Sequence, residues 1–142
     1  MILLNFSFFL FFYLSNFHIN SKQFICEKEF DTQLKKYIYT QVDQRPQPPS
    51  NCKDFLDYLF KYFTISKEMR KLGLIGSVHG IFIIDENGYP LPIKYLGRYS
   101  ENIKMQLAFN NMIKSMPKCL PAKCGNLNVT YKISLKMYIK TE

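Results

Sequence analysis

The closing stretch of the chain alternates strictly, with Val129, Tyr131, Ile133, Leu135, Met137 and Ile139 apolar and Thr130, Lys132, Ser134, Lys136, Tyr138 and Lys140 between them. A period of two places the first set on one face of a β-strand. No Pro interrupts the run and only Thr141 and Glu142 follow it, so the pattern predicts a strand at a sheet edge whose outer main-chain groups can receive another chain. The residues through which such a partner would pair are Val129, Thr130, Tyr131, Lys132, Ile133, Ser134, Leu135 and Lys136.

Upstream the period changes. Phe55, Leu56, Leu59, Phe60 and Phe63 recur at helical spacing behind a Ser50 cap, and a short second helix is expected from Ser66 through Met69 and Leu72 to Gly73. Ser77 to Ile84 is a β-rich run that stops at Asp85-Glu86-Asn87-Gly88, and Asn-Gly predicts a hairpin. The return strand is expected over Ile93 to Leu96, behind Pro90 and Pro92, which cannot donate to a ladder. Ser100 then caps a helix whose stripe is Ile103, Leu107, Ala108, Met112 and Met116, ended by Pro117.

Ser21 to Gln41 is polar and of mixed charge, and Val42-Asp43-Gln44-Arg45-Pro46-Gln47-Pro48-Pro49 is biased to extended backbone. Residues 22–50 therefore read as a lead-in linker, with one folded domain over 51–142. The element order predicts an α+β fold with a three-stranded, mainly antiparallel sheet and helices packed on one face.

The N-terminus bears on where this domain works. Ile2 to Phe17 is almost wholly apolar, which predicts an export segment over 1–21, either a signal peptide cut near Ser21 or a retained membrane anchor. An oxidising, extracytoplasmic compartment turns the reading of the four cysteines from metal ligands towards disulfides. Cys119 and Cys124 are near enough in sequence to close a short loop, and are the candidate disulfide. No zinc spacing is present among Cys26, Cys52, Cys119, Cys124 and His79, and no metal or cofactor is expected. Phe24 and Ile25 before Cys26 are not the small residues of a lipid-attachment site.

The formal net charge of +8 is concentrated late, since Glu101 to Glu142 holds seven Lys against two Glu. Such a surface attracts an acidic partner, and Lys132, Lys136 and Lys140 would raise its association rate. The chain lacks nucleic-acid-binding motifs and carries the export segment, so nucleic acid is not an expected partner. Enzyme chemistry is not expected either. His79 has no nucleophile arranged around it in sequence, Asp85 and Glu86 belong to a solvated turn, and Gly73, Gly76 and Gly80 are too scattered to cradle a phosphate.

Four motifs between Val42 and Ile139, in order, resemble the C-terminal domain of the TonB family, the energy transducers of bacterial outer-membrane transport. The Val42 to Pro49 run is similar to the family's Val-Asp-x-x-Pro-x-x-Pro opening, and Lys71 to Val78 resembles its Gly-x-x-Gly-x-Val entry to the first strand. Asp85 to Gly88 fits the family hairpin, while Ile113 to Lys118 with Pro121 and Lys123 is similar to its helix end and link to the last strand. The resemblance implies a periplasmic domain that binds the peptide of a TonB-dependent outer-membrane receptor as an added strand. It also implies, if the N-terminus remains as an inner-membrane anchor, coupling to proton-channel motor proteins, with a homodimer as a further partner state.

The departures from the family are specific. Ser50 and Asn51 stand in place of a glycine pair, Phe63-Thr64 in place of Tyr-Pro, and Cys119 where Trp is common. The family's long spacer is missing, since roughly thirty residues separate the apolar N-terminus from Ser50 and reach about 100 Å at most. The alternative expectation is a soluble exported interaction or structural domain of the same fold with no transducing role.

Overall fold

A computed structural model describes residues 26–140, apart from Leu72 and Arg98, as an α+β fold. The export segment over 1–21 and the place of Leu72 in the second helix lie outside the described residues. The elements, in chain order, are β1 (Glu27–Asp31), β2 (Lys36–Gln41), α1 (Phe55–Tyr62), α2 (Lys67–Arg70), β3 (Ile75–Ile84), β4 (Pro90–Gly97), α3 (Ile103–Lys114), β5 (Ala122–Cys124), β6 (Leu127–Val129) and β7 (Tyr131–Lys140).

The main sheet has five strands in the order β1-β2-β7-β3-β4 and is mixed, not three-stranded. Its antiparallel part is the expected trio, with β3 pairing β4 on one side and β7 over Ile75 to Ile84 on the other. The addition is the β1–β2 hairpin, whose second strand meets β7 in parallel at the single register pair Tyr39↔Tyr131. Residues 27–41, expected as linker, are thus part of the sheet. β5 and β6 make a separate two-stranded hairpin.

The helices begin where side chains can satisfy the first orphan amides. Asp54, not Ser50, caps α1 by accepting from the Asp57 N–H at 2.7 Å. Ser66 caps α2 as expected, and Asn102 rather than Ser100 caps α3. The stripe of α3 agrees with the expected one at Met112 and Met116, which are buried, and differs elsewhere, because Met105, Phe109 and Ile113 are buried whereas Ile103 and Leu107 are exposed. β4 starts at Pro90, earlier than expected, which an outer strand tolerates because a Pro there forfeits only a bond to solvent.

One cluster joins the buried side of the helices to the inner face of the trio through Phe55, Leu59, Phe82, Phe109, Ile133 and Met137. The hairpin turn is locked by chemistry as well as by packing. Asp85 Oδ1 accepts from the Asn87 and Tyr89 amides at 2.9 and 2.7 Å, and Gly88, at φ +88, accepts the Cys119 N–H at 2.9 Å. A Cβ on Gly88 would run into the Cys119 carbonyl, so the turn and the link after α3 are fitted to each other.

Candidate functional site

β7 is not the outer strand that its alternation predicts, since β3 pairs one side along its whole length and β2 meets the other. That second contact ends almost where it starts. The Tyr39 N–H donates to the Thr130 carbonyl at 2.8 Å, after which the chain turns off towards β5, where Gln44 and Lys123 bridge. Beyond Tyr131, no strand among the described residues pairs with this side of β7. Main-chain groups of successive strand residues point to opposite edges, so those of Ser134, Lys136 and Tyr138 face the side on which Tyr39 sits.

A groove of about 880 Å³ opens along this side. Its floor is Tyr131 to Leu135, and its far wall is formed by Arg45 to Pro48, Ser50 and Cys52 to Leu56. The wall is held because Gln44 and Gln47 carry the amide donors that Pro46, Pro48 and Pro49 lack. Gln47 exchanges backbone hydrogen bonds with Leu120 at 3.0 and 3.1 Å, and Gln44 does so with Lys123 at 3.2 and 2.9 Å. The start of α1 is fixed as well. Asp57 accepts from the Lys53 amide at 2.9 Å and from Lys61 Nζ at 2.8 Å, and Lys61 holds the Asp57 carboxyl below its ordinary range.

The eight residues expected to receive a partner divide. Val129 is buried and paired with Ala122, and Thr130 is spent twice, its carbonyl on Tyr39 and its hydroxyl donating to Glu86. Tyr131, Lys132, Ile133, Ser134 and Leu135 line the groove, whereas Lys136 lies exposed in register with His79. Of the three lysines expected to steer an acidic partner, Lys132 reaches the groove, where it is ion-paired with Glu29. The wall residues, Arg45, Lys53, Phe55 and Leu56 among them, were not expected from sequence, because nothing local marks which strand a proline-rich run will face.

The expected Cys119–Cys124 bridge does not form. Cys124 is bonded to Cys26, 98 residues away, and Cys119 is a free thiol. Cys119 turns into the core, 3.6 Å from Met116 Sδ, whereas Cys124 ends β5 beside the start of β1. Burial pushes the Cys119 thiol up to about 11. The Asp43 carboxylate adjoins the disulfide, 3.9 Å from Cys26 Sγ, and accepts the Gly125 N–H at 2.6 Å. His79 contacts the Ser134 hydroxyl on the face of the sheet away from the helices.

In comparisons with protein-family models, curated proteins and solved structures, nothing matches the chain. The groove offers an open sheet side, apolar side chains at Phe55, Leu56, Ile133 and Leu135, and cations at Arg45, Lys53 and Lys132. Asp54 is its carboxylate, and that group is committed to capping α1. Such an arrangement can hold an extended, partly acidic peptide by main-chain pairing and can select alternate side chains.

Proposed function

We propose that the chain is a periplasmic TonB-like domain that captures the peptide of an outer-membrane receptor as an added strand along β7, contributing to energy-dependent transport across that membrane. The observation that carries the reading is the side of β7 that, among the described residues, no strand pairs beyond Tyr131 and that opens into the groove. Backbone pairing supplies sequence-tolerant affinity, and the apolar floor at Ile133 and Leu135 supplies selectivity. The test is an amide NMR titration with an extended receptor-type peptide. Ser134 and Lys136 should shift first, and shifts confined to α1 and α3 would reject the reading.

A second reading, a soluble exported interaction domain of the same fold, is favoured by the length of chain left for a tether. With residues 27–41 folded into the sheet, only His18 to Ile25 separate Phe17 from Cys26. Eight residues extend to roughly 30 Å, too short to cross a periplasm from an inner-membrane anchor. In this reading the groove still takes a peptide but transmits no force. Intact mass and membrane fractionation separate the two: a full-length membrane protein supports transduction, and a chain shortened by about twenty residues in the soluble fraction supports the second reading.

A further inference from the structure

Two lysines of β7 whose side chains the groove does not use share the other face of the sheet. Ile133, Met137 and Ile139 join the core, so the alternation turns Lys136, Tyr138 and Lys140 to the side without helices. Val78, Phe82 and Tyr95 in the core likewise turn Ser77, His79 and Lys94 there. Lys94, Lys136 and Lys140 are exposed, and among the described residues none of the three is in an ion pair. Charge in the sheet is segregated. Its carboxylates are all on β1, and the one that reaches β7, Glu29, is taken by Lys132, whereas β3, β4 and β7 contain no Asp or Glu.

We propose that this helix-free face docks on a bilayer of anionic phospholipid headgroups. Spacing and neighbours decide the class of partner. Lys136 and Lys140 stand about 13 Å apart along β7, and Lys94, which pairs with Ile81 across from Ser134, lies two strands away, about 10 Å to the side. One phosphate cannot bridge such distances, so the complement is an extended anionic surface. Tyr138, 66% exposed, lies between the two lysines of β7, and Ile75, 43% exposed, is in register with Lys140. A phenol ring and an aliphatic side chain among lysines suit a headgroup boundary, where amphipathic rings settle, better than a wholly polar polyanion.

The chain before Cys26 points the same way. Ile2 to Phe17 is an apolar run, and only His18 to Ile25 separate it from Cys26 at the head of β1. Those eight residues reach roughly 30 Å, and β1 lies two strands from β7, about 10 Å. An apolar run retained in the membrane would thus hold the domain beside the bilayer on a stem long enough to lay this face against it. Each lysine near an anionic surface raises partitioning roughly fivefold, and salt weakens the effect. The groove opens at the side of β7 and not on this face, so the inference goes beyond peptide capture and does not depend on it.

The test mixes the full chain with vesicles of phosphatidylcholine holding about one third phosphatidylglycerol and, in parallel, with phosphatidylcholine alone, and reads the acetylation rate of each lysine by mass spectrometry. Lys94, Lys136 and Lys140 should label at least about fivefold more slowly on the anionic vesicles than on the neutral ones, while Lys104 and Lys114 of α3 keep one rate on both. About 0.5 M salt should erase the difference. In Lys94→Gln/Lys140→Gln, whose melting should match the parent because both sites are exposed, the slowing at Lys136 should drop below about twofold. Equal rates on the two vesicles overturn the proposal, as does undiminished slowing of Lys136 in the variant. Slowing that extends to α3 overturns the choice of face. The same slowing with soluble inorganic phosphate overturns the membrane as partner. A groove that takes no peptide would reject the capture reading and leave this result as it stands.

Discussion

The ring of Phe109 lies directly on the backbone of Gly80, so that a Cβ added there would come closer than 3.0 Å to both Cε2 and Cζ. This contact explains which stripe of α3 faces the sheet. Phe109 can be buried only over a residue with no side chain, and that registers Met105, Met112 and Ile113 inward with it. Gly80→Ala should cost about 1–3 kcal/mol through overpacking, read from denaturant unfolding. Combining it with Phe109→Leu should recover part of the loss, whereas strict additivity would show that the two residues do not meet.

The groove yields a main-chain test. Ser134→Pro removes an N–H on the open side of β7 while leaving the β3 ladder to its neighbours. Peptide affinity should fall at least about tenfold, with a stability change below about 1.5 kcal/mol by thermal unfolding. Unchanged affinity would place the peptide elsewhere.

The cysteines separate by accessibility. Digestion without reductant should release a peptide pair joining Cys26 to Cys124, and a Cys119–Cys124 pair would contradict the structure. With an alkylating reagent at neutral pH, half-buried Cys52 should label first, and Cys119, buried with its thiol pushed up to about 11, should label only on unfolding. Cys124→Ser removes a link between residues 98 apart and should lower stability by about 2–5 kcal/mol.

Acid should loosen the contact of the β1–β2 hairpin with Glu86. The Thr130 hydroxyl foremost, then the backbone N–H of Glu86 itself and Lys36, hold the Glu86 carboxyl below its ordinary 4.5. A carboxyl depressed in the folded state contributes stability that is present above its ordinary value and is lost as pH falls through the depressed one. Melting temperature and hairpin protection should therefore be insensitive to Glu86 near neutrality and fall below about pH 4.5, and Glu86→Gln should remove that share of the fall. Parallel pH profiles for the two proteins would deny Glu86 this role.

Local signals predict structure where the physics is local. Asn87-Gly88 predicts its hairpin because only a turn with positive φ fits there, and the Ser66 cap and the alternation of β7 likewise follow from nearest neighbours. The β1–β2 hairpin was hidden because Glu27-Lys28-Glu29-Phe30-Asp31 lacks a clean period. Its turn also takes positive φ at Lys35 with no glycine to announce it. The α3 stripe holds at Met112 and Met116 and fails at Ile103 and Leu107 for another reason: these fit a helical period as well as Met105 and Phe109 do, and the choice is made by Gly80 on a distant strand. The groove shared this limit. Five of the eight residues expected to receive a partner, Tyr131 to Leu135, lie in it, but its wall and the pairing of Cys26 with Cys124 depend on segments far apart in sequence.

The place of β7 between β2 and β3, although it follows every other strand in sequence, has a consequence for how the molecule comes into being. A chain emerging from its N-terminus, from a ribosome or through a translocation pore, carries β2 and β3 with no neighbour to join them until residue 140 is out. The sheet closes last, when β7 enters between them.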